Sequence, residues 1–351
     1  MASAADIGID LGTSNVLIYA RGKGIVLNEP AVVALERDTR SIRAIGTEAY
    51  RMIGRTPSSI AALRPLREGM VSDFELTSSM LHYFVTQVIG KRMFARPRAV
   101  LSLPSGVNEM EKRSISAIMF EAGARRTQLL DRPVAAAIGA GINITDAYGS
   151  MIVDIGAGMT DIAVLSLGRV IVSDAAKLGG DHFDDAIIRY LRRKHNLLIG
   201  ERTAEELKIN IGSAMPRAEQ MYLDVTGRNL ISGLPKLMRI TSDEIYEAID
   251  DPLTALIEAI YDMVDQNQEA CRVLILGNTS STVLMRMIAL AKEDSIAYWR
   301  KELPGASGTE LEMMYTHLSN GLMHVVVEGY DKYSKDEIIR FVSRVVKASL
   351  S

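Results

Sequence analysis

The chain carries one turn phrase twice. Residues 6–20 read D-I-G-I-D-L-G-T-S-N-V-L-I-Y-A, and residues 150–165 read S-M-I-V-D-I-G-A-G-M-T-D-I-A-V-L. Aligning Asp10 with Asp154 aligns Gly12 with Gly156, and apolar runs flank both turns. Each copy is followed by a second turn (Gly22-Lys23-Gly24; Leu167-Gly168-Arg169) and another apolar run. A strand that ends in Asp, turns on Gly and returns as a strand presents backbone N–H groups at its tip. Such a nest suits phosphate, with the Asp facing a Mg²⁺ ion, usually through water. Two facing copies would clamp one nucleotide between two lobes. The alternative is a pair of ordinary glycine hairpins.

A length of 351 residues allows two domains, or two lobes of one bilobal fold. With 48% hydrophobic and 24% charged residues the chain can build a large core, which excludes general disorder. A net charge of −3 argues against a nucleic-acid surface as the main activity. The lone cysteine, Cys271, excludes a disulfide framework and points to a reducing compartment. No apolar run approaches the ~20 residues of a membrane span, and the N-terminus lacks a secretory signal. The expectation is a soluble, cytoplasmic protein, with attachment to a membrane surface left open. The histidines at 82, 182, 195, 317 and 324 form no pair with metal-ligand spacing, so no transition metal is assigned.

Strand and helix signals alternate through the first half. Ala99–Leu103 reads as a buried strand ended by Pro104-Ser105-Gly106, then a helix through Ile115, Met119 and Ala122 stops at Gly123. Gln128–Leu130 reads as a strand, and Arg132-Pro133 opens an Ala-rich helix. After Gly179-Gly180, Asp181 is the expected N-cap of a helix carrying Phe183, Ile187 and Leu191 on one face. Thr241-x-x-Glu244 is a capping-box signature before a long helical pattern in which Pro252 marks a kink or restart. These signals divide the chain into lobe I over residues 1–145, with a small insertion near 30–70, lobe II over 146–265, and a mainly helical tail over 266–351. In that tail only Val273–Leu276 reads as a strand.

With the paired hairpins in place, longer phrases carry a resemblance to the actin-like ATPase superfamily, and within it to the bacterial MreB family. They are G-K-G-I-V-L-N-E-P at 22–30, G-R-T-P at 54–57, R-P-L-R-E-G-M-V-S-D-F-E at 64–75, A-A-A-I-G-A-G at 135–141, N-L-L-I-G-E-R-T-A-E-E-L-K at 196–208 and G-R-N-L-I-S-G-L-P-K at 227–236. The resemblance covers about residues 6–265. It implies a bilobal α/β fold of two ribonuclease-H-like lobes, ATP and Mg²⁺ in the cleft, and homopolymer filaments at the inner face of the cell membrane. It implies work with the cell-wall elongation machinery (MreC, MreD and RodZ) to govern cell shape, and no nucleic-acid partner. By the same resemblance Thr13, Ser14 and Asn15 match the first phosphate loop and Ala157, Gly158 and Met159 the second. Asp10 and Asp154 match the carboxylates around the metal. Glu205, Glu206, Leu207 and Lys208 match the helix that lines the nucleoside, with Glu205 and Lys208 spaced to face one ligand edge. Met93 and Phe94, between Gly90-Lys91-Arg92 and Ala95-Arg96-Pro97-Arg98, match a loop that inserts apolar side chains into the membrane.

Departures from the family pattern fall on the chemistry. The family carries a carboxylate before Pro133 that polarises the attacking water, and here the residue is Arg132. Its Gly-Gly-Gly-Thr-Thr run is here Gly156-Ala157-Gly158-Met159-Thr160, so Met159 replaces the first Thr. In-line phosphoryl transfer depends on positioning and electrostatics, so losing these groups strikes the rate directly. A guanidinium cannot accept a proton from water, but it pairs well with phosphate. Asp131 and Thr160, each one position away, are the candidates to compensate. The family's adenine-closing turn has its nearest counterpart at Leu276-Gly277-Asn278, where Gly277 and Asn278 are the candidate contacts. Residues 298–350 weakly resemble effector-domain helices of TetR-type regulators, without a helix-turn-helix unit. Three readings therefore stand: a filament-forming ATPase with weak turnover, a pseudo-ATPase scaffold, and a non-assembling paralogue.

Overall fold

The computed structural model describes residues 6–90, 96–145, 149–266 and 271–276. The first half begins with β1 (Asp6–Leu11), β2 (Asn15–Ala20) and β3 (Gly24–Pro30). A small unit follows, comprising β4 (Val33–Glu36), β5 (Ile42–Ile45), α1 (Thr47–Met52) and β6 (Ile60–Leu63) around Val32, Ala34 and Ala49. A short hairpin, β7 (Leu66–Arg67) and β8 (Met70–Val71), leads to α2 (Phe74–Ile89), β9 (Arg98–Leu103), α3 (Glu109–Glu121), β10 (Arg126–Asp131) and α4 (Arg132–Gly139). The main sheet runs β10-β9-β1-β2-β3. Strands β1 and β2 alternate buried and accessible side chains, with Ile7, Ile9, Leu11, Val16 and Ile18 packed against Met80, Leu81 and Phe84 of α2. That period of two is what a sheet covered by helices on its buried face requires.

The second half repeats this order with β11 (Gly149–Ile155), β12 (Thr160–Ser166), β13 (Arg169–Ala176), α5 (Gly180–His195), β14 (Leu197–Leu198), α6 (Glu201–Ile211), β15 (Tyr222–Asn229), β16 (Pro235–Thr241), α7 (Ser242–Gln266) and β17 (Cys271–Leu276). Its main sheet runs β13-β12-β11-β17, while β14, β15 and β16 form a separate small sheet. The two main sheets share a frame down to the register. Asp10 pairs with Leu17 in the antiparallel β1–β2 ladder, and Asp154 pairs with Asp161 at the same offset in β11–β12. On the other side β1 runs parallel to β9, as β11 runs parallel to β17. Strand β17, assigned from sequence to the tail, therefore belongs to the sheet of lobe II.

One sequence expectation needs correction and another is narrowed. Asp181 does not cap α5; the helix starts at Gly180, so Gly179 holds that position, its N–H donating to His182 Nδ1 at 3.2 Å, and Asp181 lies in the first turn. Of the two readings of Pro252, the restart is excluded, since α7 runs from Ser242 to Gln266 with the proline inside it. The buried stripe Ile249, Leu253, Leu256, Ile257 and Ile260 anchors both sides of the proline, so the one missing N–H is absorbed. The Thr241–Glu244 capping box forms as expected. Thr241 N donates to Glu244 Oε2 at 3.0 Å and Glu244 N to Thr241 Oγ1 at 3.3 Å.

Candidate functional site

The two repeated turns close in the same way. Gly12 N donates to the Asn15 carbonyl at 3.0 Å, and Gly156 N to the Met159 carbonyl at 2.9 Å. They also meet. A methyl group on Gly158 would fall 2.8 Å from Thr13 Oγ1 and 2.9 Å from the Glu68 backbone nitrogen, so only a residue without Cβ lets the turns approach this closely. Thr13 Oγ1 in turn accepts from Gly69 N at 3.0 Å, which ties the β7–β8 turn to the first phosphate loop. Ser14 and Asn15 bond to each other, and Asn15 Nδ2 donates to Asn28 Oδ1 at 3.1 Å.

On the lobe II side, the second loop lies against the start of α5. Gly180 N donates to the Gly156 carbonyl at 3.0 Å, and Ala157 stands half-buried beside it. A helix N-terminus beside a glycine loop is a favourable setting for phosphate. Lys208 Nζ donates to Asp184 Oδ2 at 2.8 Å and to the Gly180 carbonyl at 2.9 Å, which fixes its charge near that loop. Burial pushes the Asp184 carboxyl up to about 7 against the pull of Lys208.

At the cleft floor, α4 lies between the lobes, with Val134 and Ala137 packed on Ile152, Ala163 and Leu165 of lobe II. Its first residue, Arg132, donates through Nη1 to Asp161 Oδ2 at 3.1 Å and through Nη2 to the Leu11 carbonyl at 3.3 Å, while Nε lies 3.9 Å from Asp10 Oδ1. Asp161 is fully buried and also accepts from Ser105 N at 2.7 Å. Asp10 accepts from Ser102 Oγ at 2.7 Å. Burial raises the Asp154 carboxyl to about 6, with Arg132 pulling it down and Asp161 and Asp10 pushing it up. The floor is thus a set of three carboxylates served by one guanidinium. Among the described residues no three His, Cys, Asp or Glu side chains converge to hold a metal ion. The positive charge beside Asp10, Asp154 and Asp161 is Arg132.

The other predicted positions separate. Met159 is buried, its sulfur filling the space a side chain on Gly69 would need. Thr160 is buried too and donates to the Leu178 carbonyl at 2.8 Å, so its hydroxyl serves the loop before α5. Glu205 and Lys208 have different partners: Tyr50 OH donates to Glu205 Oε2 at 2.9 Å, while Lys208 holds Asp184. Leu207 turns into the lobe II core, where its side chain is fully buried. Glu206 is exposed and accepts from Arg202 one turn earlier. Met93, Phe94, Gly277 and Asn278 lie outside the described residues.

The sequence did not single out Tyr50, Glu68, Gly69, Ser105, Asp161, Lys177 or Asp184 as site residues. Lys177 and Glu68 form an ion pair at 2.9 Å between lobe II and the β7–β8 turn. The one available signal was Gly69 in the phrase R-P-L-R-E-G-M-V, a glycine that supplies the positive φ of the β7–β8 turn.

Comparison with known proteins agrees with this geometry. The sequence profile of the MreB/Mbl protein family matches residues 4–272. Cell shape-determining protein MreB of Escherichia coli strain K12 is 47% identical over 266 residues, covering 74% of this chain and 77% of that protein. Cell shape-determining protein MreB of Haemophilus influenzae is 41% identical over 330 residues, covering 89% of this chain and 94% of its own length. The crystal structure of MreB 5 of Spiroplasma citri bound to AMPPNP superposes with a TM-score of 0.71 at 30% identity, covering 93% of this chain and 98% of that one.

Proposed function

The chain belongs to the MreB/Mbl family, and from that premise we propose that it is an actin-like, nucleotide-binding cytoskeletal protein that self-associates into filaments and determines cell shape. The observation that carries the nucleotide reading is the pair of identically closed turns meeting at Thr13 and Gly158. Two backbone nests, one per lobe, make a clamp that a polyphosphate completes. ATP is the proposed ligand, in keeping with the AMPPNP of the Spiroplasma citri relative.

A weak or absent turnover goes with this reading, because the positions from which the family orients water hold other groups here, and those groups are engaged elsewhere. Arg132 is bound to Asp161, Met159 is packed on Gly69, and Thr160 is bonded to the Leu178 carbonyl. The same engagement favours a second reading, a pseudo-ATPase scaffold that joins filaments without hydrolysis of its own. No helix among the described residues is long and apolar enough to cross a membrane. Peripheral attachment through Met93 and Phe94, and association with the MreC, MreD and RodZ class of wall-elongation proteins, are proposed on the family resemblance alone.

The test of the nucleotide site is a titration of a fluorescent ATP analogue against wild type and Gly158→Ala, followed by sedimentation with and without ATP. The added methyl group forces the two turns apart, and the loss of one or two charge-assisted phosphate contacts should weaken binding by about tenfold to a hundredfold. Equal affinities would remove the clamp, and pelleting that ignores nucleotide would uncouple it from assembly.

A further inference from the structure

We propose that Asp184 is a positioning residue of the nucleotide site. Through a buried ion pair it holds the Lys208 ammonium beside the second phosphate loop, where Lys208 meets an oxygen of the bound nucleotide. The inference rests on the nucleotide reading above and deepens it by naming the residue through which one contact of that site is set.

Ala204, Leu207 and Ile211, all buried in the lobe II core, pin the rotation of α6 and leave Lys208 on the side that meets α5. There Lys208 Nζ finds two acceptors one helical turn apart, the Gly180 carbonyl at 2.9 Å and Asp184 Oδ2 at 2.8 Å. The side chains of the pair are 14% and 11% exposed, so salt and water screen it little. A methyl group on Gly180 would stand 3.2 Å from Lys208 Nζ and 3.6 Å from Ala157 Cα. Little more than that one glycine therefore separates the ammonium from the second phosphate loop. An ammonium carries three N–H donors, and the two bonds to α5 leave one for a ligand oxygen. Among the described residues the carboxylate has no second task. Its side-chain bond runs through Oδ2 to Lys208, while Oδ1 is buried without a partner. Burial is costly for such a group and pushes its carboxyl up to about 7 even with Lys208 in contact. A buried pair of this kind adds little stability over apolar packing of the same volume, whereas it does fix where a charge stands. Without Asp184 the long lysine stem regains its rotamers and the ammonium leaves the loop.

The experiment measures affinity of the full chain for a fluorescent ATP analogue in wild type, Asp184→Ala, Lys208→Met and the double variant. Each single change should weaken binding by about tenfold, the worth of one charge-assisted contact. The double variant should match Lys208→Met to within about threefold, because Asp184 acts only through Lys208. A carboxylate that serves the fold alone predicts losses that multiply to about a hundredfold, and that result overturns the inference. Asp184→Asn keeps an oxygen for Lys208 and should recover most of the affinity lost in Asp184→Ala. Competition by ATP and by adenosine places the contact. A loss shared by both puts Lys208 on the sugar and a loss confined to ATP puts it on a phosphate, and either result supports the proposal. Thermal melts identify any variant that fails to fold, and Asp184→Ser carries the cycle if Asp184→Ala is lost. Unchanged affinity in Lys208→Met, with Gly158→Ala still weakened, overturns this inference and leaves the nucleotide site standing. Wild type that binds no nucleotide overturns both.

Discussion

The Tyr50 hydroxyl donates to Glu205 Oε2 at 2.9 Å, joining α1 of the lobe I insertion to α6 of lobe II. Burial, and then the bond to Glu205, pushes the phenol up to about 12, so it remains a donor at any physiological pH. With the Glu68–Lys177 pair and the Thr13–Gly158 approach, it is one of the points where the lobes hold each other. Closure across a cleft excludes water from a bound ligand and slows its escape.

Replacing Tyr50→Phe keeps the ring and deletes the bond. One such bond contributes about 1 kcal/mol, so release of a bound fluorescent ATP analogue should quicken by about fivefold. Stopped-flow displacement with unlabelled ATP measures it. An unchanged off-rate would mean that the other crossings suffice to hold the lobes closed.

The repeat itself was legible in the sequence because each Gly N–H closes on the carbonyl three residues later, which fixes spacing as well as residue type. The Thr241–Glu244 cap was legible for the same reason, since both partners lie within one turn. What stayed hidden is long-range. Glu68 and Gly69 meet the phosphate loops across more than fifty positions, and Tyr50 meets Glu205 across 155. The four-residue match at Glu205–Lys208 does not present all its side chains on one face; 3.6 residues per turn sends that of Leu207 to the core. Arg132 was recognised as a departure, but its bond to Asp161 depends on packing of α4 against lobe II that no local pattern encodes.

Phosphate release should be slow in unmodified protein. Arg132→Glu alone puts a fourth carboxylate among three and breaks the Arg132–Asp161 pair, whose side chains are 13% and 1% exposed, at a cost of ~3–5 kcal/mol. Met159→Thr alone leaves the water without a polarising group. Together, with Mg²⁺ supplied, they should raise the rate by more than the product of their single effects, as groups acting as a unit do. Steady-state release at saturating ATP reads this out. Unmodified protein that matches the double variant would show that neighbouring groups already position the water.

Stability should fall with rising pH through Asp184. Its folded carboxyl titrates at about 7, raised by burial, whereas an unfolded aspartate titrates near 3.8. Between those values the folded chain holds a proton that the unfolded chain has released. The contribution is therefore complete below pH ~4, declines by up to ~1.4 kcal/mol per unit above it, and levels off past ~7. Urea unfolding of wild type and Asp184→Asn from pH 5 to 8 isolates the effect as the difference between their slopes. Parallel curves would mean that Lys208 keeps the carboxylate ionised throughout.

Membrane contact is expected at the segment between Ile89, the end of α2, and Arg98, the start of β9. That segment contains Met93 and Phe94, flanked by Lys91, Arg92 and Arg96. Near its end the Arg96 guanidinium lies 5.8 Å from the ring centre of Phe120, itself an exposed aromatic on α3, so cationic and apolar groups share this surface. Two apolar side chains bury only ~3–5 kcal/mol, from ~1.5–3 kcal/mol each. Each nearby Lys or Arg adds ~1 kcal/mol at an anionic surface. A monomer would then bind marginally and a filament firmly, because linked contacts multiply. Met93→Ser with Phe94→Ser should abolish co-sedimentation with anionic vesicles while nucleotide affinity is retained. Raising salt should weaken the wild-type interaction through the cationic part alone. Unchanged pelleting of the double variant would place the anchor on another surface.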